Sequence, residues 1–203
     1  MRFAVGLAII SAVTGMSFSG CANAKFYRGT DLALAPDSIV IHAMPTVAQT
    51  DQYSCGPACL ASVALYYDVP ITTVEQVTSA AARREQALSA AELIRTAESF
   101  GLVAFGYQGS LDDLRDNLRN NRPVIALLDA PPRVANYPAF EWISETSTAF
   151  VSQPHWVVVF GLRYNGDVII HDPNKGLLTM SSDTFDRQWH KQSRLAVLVG
   201  RKI

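Results

Sequence analysis

Three side chains in this sequence have the types and surroundings that nucleophilic catalysis needs. Cys55 opens a segment, residues 55–67, that is apolar nearly all round a helix. A helix N-terminus stabilises a thiolate through its dipole and its free N–H groups. A nucleophilic thiol also needs a base, and the base needs an orienting group. His155 precedes one predicted strand and Asp172 ends the next, so the chain offers a Cys-His-Asp triad.

The two strands that carry His155 and Asp172 are predicted to be antiparallel neighbours. Residues 156–160 and 168–171 are rich in β-branched side chains, and Asn165-Gly166 between them is a hairpin turn signal. In consecutive antiparallel strands, the start of one lies beside the end of the other. We therefore expect the imidazole to meet the carboxylate.

Two glutamines could assist a reaction at the thiol. Gln49 lies six residues before Cys55, and its amide could donate to a developing oxyanion together with the Cys55 backbone N–H. Gln52 competes for that role. Cys59 lies one helical turn after Cys55, and we expect it to be a buried apolar residue of the helix.

The elements that must position these side chains predict an α+β fold. The part of the chain before residue 130 is mainly helical, with a buried helix at 55–67 and strands at 102–107 and 124–128. The second half is a series of short strands at 156–160, 168–171, 177–180 and 195–199, interrupted by one helix at 182–190. A helical lobe that carries the cysteine is thus followed by an antiparallel β lobe that carries His155 and Asp172. Three short helices are predicted to begin at capping boxes: Thr72 with Glu75, Ser89 with Glu92, and Ser110 with Asp113.

Composition excludes several classes of protein. The 203 residues include 17 Lys and Arg against 18 Asp and Glu, so no basic surplus favours nucleic acid. The chain is long enough for a core that needs no metal or disulfide. A zinc site through Cys55, Cys59, His155 and His171 is disfavoured, because adjacent strand residues alternate faces and His171 should point away from Asp172. We expect no cofactor, no metal and little catalytic contribution from His171.

The N-terminus is typical of an exported protein. One arginine is followed by an apolar stretch and small residues, which is the layout of a signal peptide over residues 1–20. The sequence Phe18-Ser-Gly-Cys21 favours a lipoprotein signal with lipidation of Cys21, while Ala22-Asn-Ala24 allows a cut before Lys25. A retained membrane anchor at 3–24 is the third alternative. Residues 21–43 are interpreted as a tether with an edge strand at 38–42, and residues 44–203 as one catalytic domain.

The sequence resembles the double-glycine leader peptidases, papain-like cysteine peptidases best known as the N-terminal domain of bacteriocin-exporting ABC transporters. The resemblance covers about residues 44–200. It rests on four blocks: the stretch from Gln49 to Tyr67 around Cys55-Gly-Pro, Arg122-Pro-Val-Ile125, Pro154-His155-Trp-Val-Val-Val-Phe-Gly161, and His171-Asp172-Pro173. The family pattern implies that Cys55 is the nucleophile, His155 the base, Asp172 the orienting group and Gln49 the oxyanion donor. No ATP-binding motif accompanies it, so the resemblance is to a stand-alone form.

The function that this pattern implies is a cysteine endopeptidase of the cell envelope. Its partner would be an exported polypeptide substrate, cut after a Gly-Gly leader or elsewhere, with a secretion-system component as a further partner and the membrane reached through a lipid anchor. Two alternatives stay open: acyl transfer by an amidase or transpeptidase on the same triad, and a non-catalytic substrate-binding accessory of a secretion system. The long connection at 129–150 carries Tyr137, Phe140, Trp142 and Phe150, which could line a substrate groove or fix the loop to the domain.

Overall fold

The structure is a computed structural model that describes residues 25–26, 38–71, 73–81, 86–130 and 153–202. The predicted signal peptide, Cys21 with its predicted lipidation, and the four aromatic residues between 137 and 150 lie outside the described residues. Within the described ranges, no helix combines the length and the apolar character needed to cross a bilayer.

The described chain alternates helices with antiparallel strands, which confirms the α+β prediction. The strands are β1 (Lys25–Phe26), β2 (Ile39–Val40), β3 (Leu102–Gln108), β4 (Val124–Ala130), β5 (Gln153–Leu162), β6 (Val168–Asp172), β7 (Gly176–Met180) and β8 (Leu195–Arg201). The helices are α1 (Cys55–Tyr66), α2 (Val74–Ala80), α3 (Ala90–Ser99), α4 (Leu111–Arg119) and α5 (Ser182–Lys191). Most of these elements end within one or two residues of the sequence prediction.

The described strands form one antiparallel sheet in the order β1-β7-β6-β5-β4-β8-β3, and β2 pairs separately with β5. The two-lobe prediction implied a sheet confined to the segment that carries His155 and Asp172, but the sheet also includes β3 and β4, which come earlier in the chain. The reason is that β8 runs between them, pairing with β3 along its whole length and with the first residues of β4.

The sheet divides the core into two layers because successive strand residues face opposite sides. On β4, Ile125 packs with the buried residues of α1 and α3, while Val124 and Ala126 pack with Phe185 and Trp189 of α5. The layer on the α1 side therefore lies between the helix that carries Cys55 and the sheet that contains the strand of His155.

Strand β2 is shorter than the five residues predicted, because a turn follows it in which Ala43 has a φ of 57°. It continues the sheet beyond the point where β4 stops pairing with β5. Gly161 of β5 permits this close approach. A Cβ there would lie 2.9 Å from a methyl group of Val40 and 3.1 Å from the Ile39 carbonyl oxygen.

Two of the three predicted capping boxes are present as predicted, at Ser89 with Glu92 and at Ser110 with Asp113. The third is shifted by one residue: Thr73 caps α2 and pairs with Gln76. The prediction of Thr72 with Glu75 was wrong because two consecutive threonines each have an acidic or amide side chain three residues later, and glutamine serves this motif as well as glutamate.

Candidate active site

Cys55 is the first residue of α1, and its side chain lies at a helix start whose N–H groups are left without a side-chain cap. The preceding Ser54 would normally supply that cap. Its hydroxyl instead accepts hydrogen bonds from the N–H groups of Thr50 and Asp51, each at 3.0 Å. Pro57 has no N–H to satisfy. The backbone N–H groups of Cys55 and Gly56 therefore lie at the helix start without a cap from the Ser54 side chain.

Helix α1 holds Cys55 rigidly because it is buried on every side, from Cys55 through Ala64. Cys59, one turn further, is completely inaccessible. Burial raises the pKa of the Cys59 thiol well above its ordinary value, and the neighbouring Cys55 raises it further. Cys59 therefore lies in the core as a neutral thiol, as the sequence predicts.

His155 and Asp172 meet as the hairpin prediction requires. Nε2 of the imidazole lies 2.8 Å from Oδ1 of the carboxylate. The same oxygen also accepts from the backbone N–H groups of Asn174, at 2.8 Å, and Lys175, at 3.3 Å. The tight turn between β6 and β7 thus fixes the carboxylate, and the carboxylate in turn fixes the imidazole.

The Cys55 thiol is the second partner of the His155 imidazole. Because Nε2 is bound to Asp172, Nδ1 is the nitrogen left for the sulfur. Burial on its own would lower the pKa of His155, but the hydrogen bonds to Asp172 and Cys55 outweigh it and raise that pKa to about 9. Burial likewise would raise the pKa of Asp172, yet the hydrogen bond from His155 holds it below its ordinary value. The geometry therefore favours a charged imidazolium between a carboxylate and a sulfur.

Trp156 joins the strand of His155 to the start of α1. Its indole N–H donates to the Leu88 carbonyl at 2.9 Å, and its side chain is only 2% exposed. The ring lies over Gly56, where a Cβ would come within 3.1 Å of an indole carbon. Gly56 thus lets the indole approach the helix, and this packing joins the start of α1 to the strand that carries His155. The sequence analysis did not find this contact, although the two blocks contain both residues.

Gln49 is anchored beside Asp172. Its backbone N–H donates to the Pro173 carbonyl at 2.9 Å. Its side-chain amide donates to the Asp51 carbonyl at 2.9 Å, while its Oε1 atom is buried without a hydrogen-bond partner among the described residues. Gln52 lies in the exposed turn that follows. Of the two glutamines, Gln49 is therefore the one fixed to the turn that follows Asp172.

His171 lies on the same strand as Asp172, but it bonds elsewhere. Its Nε2 atom is 3.0 Å from the Val47 carbonyl oxygen. It is not paired with His155 or with either cysteine. Within the described residues, no group of three or more His, Cys, Asp and Glu side chains is arranged to hold a metal ion.

Comparison with known proteins matches the first part of this site to a family. Residues 43–132 match the model of the Peptidase C39 family. The matched segment contains Gln49 and Cys55, and His155 and Asp172 lie beyond it. No curated protein matches the sequence.

Two solved structures share the fold. One is the peptidase domain of Streptococcus ComA, a bifunctional ABC transporter involved in a quorum-sensing pathway. It is 22% identical with a TM-score of 0.58, and the match covers 78% of this chain and 99% of that one. The other is a double glycine motif protease from an AMS/PCAT transporter, solved in complex with the leader peptide. It is also 22% identical, with a TM-score of 0.54 over 78% of this chain and 91% of that one.

Proposed function

We propose that this chain is a cysteine endopeptidase of the C39 type, whose family model matches residues 43–132, and that it works through Cys55, His155, Asp172 and Gln49. The observation that carries the proposal is the continuous hydrogen-bonded line from the Cys55 thiol through the His155 imidazole to the Asp172 carboxylate. A thiol, a base and an orienting carboxylate in that order form the arrangement of a nucleophilic acyl-transfer site.

The reaction follows from this order of groups. The Cys55 thiolate attacks the scissile carbonyl carbon, a C–S bond forms, and the carbonyl oxygen takes the negative charge. The Cys55 N–H and the Gln49 amide donate to that oxyanion. The His155 imidazolium gives its proton to the leaving amine as the C–N bond breaks. His155 then takes a proton from water, which attacks the thioester; the C–S bond breaks, the acid is released, and the Cys55 thiolate and the His155 imidazolium are restored.

The substrate class that we propose is an exported polypeptide. In support, one protein of the same fold was solved with a leader peptide bound, as a double glycine motif protease. A cut after Gly-Gly is the first specificity to test. The chain would act in the cell envelope, after the predicted signal peptide of residues 1–20 has directed its export, and Cys21 would carry the lipid anchor.

The experiment that tests the activity is cleavage of synthetic leader peptides that either contain or lack Gly-Gly, followed by mass spectrometry of the products. We expect a new carboxyl terminus in the wild type and none with Cys55→Ala. Products joined to an added amine would favour the transpeptidase alternative. Binding of the peptide without any covalent change, in wild type and variant alike, would contradict the peptidase proposal and favour a binding accessory.

The lipid anchor is tested separately by metabolic labelling with a fatty-acid analogue. We expect label on the wild type and none on Cys21→Ala. A mature protein that begins at Lys25 would instead establish cleavage at the Ala22-Asn-Ala24 site, and it would contradict lipidation.

A further inference from the structure

A buried histidine next to the triad has no part in the proposed reaction. His171 is 2% exposed, and it precedes Asp172 on β6. Its Nε2 atom contacts the Val47 carbonyl oxygen at 3.0 Å. Because a carbonyl oxygen can only accept, Nε2 carries the proton and donates it. The other ring nitrogen, Nδ1, is buried and has no hydrogen-bond partner among the described residues.

The bond to Val47 is one of three that hold a short segment, residues 47–49, between the helix and the sheet. The Val47 N–H donates to the Ser62 hydroxyl on α1 at 2.9 Å. The Gln49 N–H donates to the Pro173 carbonyl at 2.9 Å. His171 thus fixes the middle of a bridge, with α1 and its Cys55 on one side and the turn after Asp172 on the other. Gln49 lies at the end of that bridge.

The chemistry of the site requires His171 to be neutral. Burial lowers its pKa, against smaller raising effects from the Val47 bond and from Asp172. A second proton on the imidazole would go to Nδ1, which lies in a buried position without an acceptor. The ring is therefore kept as a single-donor group whose N–H points at one backbone carbonyl. That is the property of a positioning group and not of an acid or base.

We propose that His171 is a positioning residue for the oxyanion site, and that it holds the 47–49 segment so that the Gln49 amide lies at a fixed distance from Cys55. The proposal rests on the proposed function, because it assumes that Gln49 donates to an oxyanion. It replaces the expectation from the sequence that His171 contributes little to catalysis. A misplacement of about 1 Å in such a group can lower the rate about 100-fold. Loss of the single hydrogen bond to the Val47 carbonyl is therefore enough to lower kcat measurably.

Two substitutions at position 171 separate the lost hydrogen bond from the lost ring. His171→Leu removes the donor while keeping an apolar side chain in the core. His171→Gln keeps an amide N–H that reaches about as far as Nε2. We expect kcat for a cleavable peptide to fall about 10- to 100-fold in the Leu variant, with KM nearly unchanged, and to be largely restored in the Gln variant. His190→Leu on the exposed side of α5 is the matched control and should leave kcat unchanged.

The rate at which iodoacetamide alkylates Cys55 distinguishes a positioning role of His171 from a general structural role. In that displacement, a C–S bond forms and iodide leaves, so no oxyanion develops. The rate therefore depends on Cys55 and His155 and not on Gln49. We expect His171→Leu and Gln49→Ala each to lower kcat while alkylation proceeds at the wild-type rate, and the double variant to be no slower than the worse single variant.

The possible outcomes separate failure of this inference from failure of the proposed function. A wild type that cleaves no peptide, or a Gln49→Ala variant with full kcat, would overturn the proposed function or its oxyanion site. A functional Gln49 together with a His171→Leu variant of full kcat would overturn the inference alone. Slowed alkylation in both 171 variants, or additive losses in the double variant, would also overturn it, because His171 would then act on Cys55 or on folding.

Discussion

The two histidines near the candidate site lie on neighbouring strands and are both withdrawn from solvent, yet their surroundings change their pKa values in opposite directions. The His155 side chain is 16% exposed, and its pKa is raised to about 9. His171 as a residue is 2% exposed, and its pKa is lowered from 6.5. Burial alone lowers the pKa of both rings, so it cannot be the cause of the difference.

The cause is the atom that each imidazole faces. His155 faces a carboxylate and a thiol, both of which gain from a positive ring between them. His171 faces a backbone carbonyl, which accepts one hydrogen bond equally well from a neutral ring. The same side chain, one strand apart, thus serves as an acid–base group in one place and as a fixed donor in the other. This difference can be tested by substitution and by pH.

The largest effect is expected from removing the charge that supports His155. Asp172→Asn keeps a hydrogen-bonding group of the same size, but it no longer stabilises the imidazolium or selects its tautomer. We expect kcat/KM to fall roughly 10²- to 10⁴-fold, with the fold retained. Asp116→Asn on the surface of α4, whose side chain is 74% exposed, is the control and should retain wild-type kcat/KM. Equal losses in both variants would contradict a specific role for the Asp172 carboxylate.

The pH dependence of activity should show the raised pKa of His155 directly. Because the His155 pKa is about 9, we expect kcat/KM to fall about tenfold per pH unit above pH 9 as the imidazolium loses the proton for the leaving amine. Asp172→Asn should move this decline to lower pH. A decline that begins near pH 6.5 in the wild type would contradict the raised pKa.

The free energy of unfolding should depend on pH in opposite ways for the two histidines, as their pKa shifts require. The folded pKa of His155 lies above the ordinary 6.5, so its contribution is complete below about pH 6.5 and is lost as the pH rises through about 9. The folded pKa of His171 is lowered, so its contribution is present above pH 6.5 and is lost as the pH falls through the folded value. We expect the alkaline loss to disappear in His155→Gln and the acid loss to diminish in His171→Gln, as measured by urea unfolding across pH.

The smallest effect on activity is expected from the two indoles, which donate the same hydrogen bond in different places. Trp156 donates to Leu88 beside the candidate site, and Trp189 donates to Leu195 at the end of α5, each at 2.9 Å. Phenylalanine at either position leaves a carbonyl without its donor and should cost about 1–3 kcal/mol in the free energy of unfolding. Only Trp156→Phe should also lower kcat/KM, by a factor of about three to ten. An equal loss in Trp189→Phe would show that general destabilisation is the cause.

The sequence predicted correctly those features that depend on neighbouring residues or on the pairing of two consecutive strands. Ser89 and Ser110 begin their helices as predicted, because a cap acts within one turn. The contact of His155 with Asp172 followed from one hairpin. The bond of His171 to Val47 could not be predicted, because it joins residues 124 positions apart. The direction of the Gln49 amide depends on the same long-range packing, and the tight fit of Trp156 on Gly56 required the positions of both elements.

The central claim is that Cys55 is the nucleophile, and the most direct test is covalent labelling with a peptidyl chloromethyl ketone at near-stoichiometric concentration. Mass spectrometry of the digested full chain should locate one adduct on Cys55, with Cys21 and Cys59 unlabelled. Cys59→Ser should retain this adduct, although the free energy of unfolding falls. Cys55→Ser should lose both the adduct and peptide cleavage. An adduct on Cys59, or cleavage that persists in Cys55→Ser, would contradict the account.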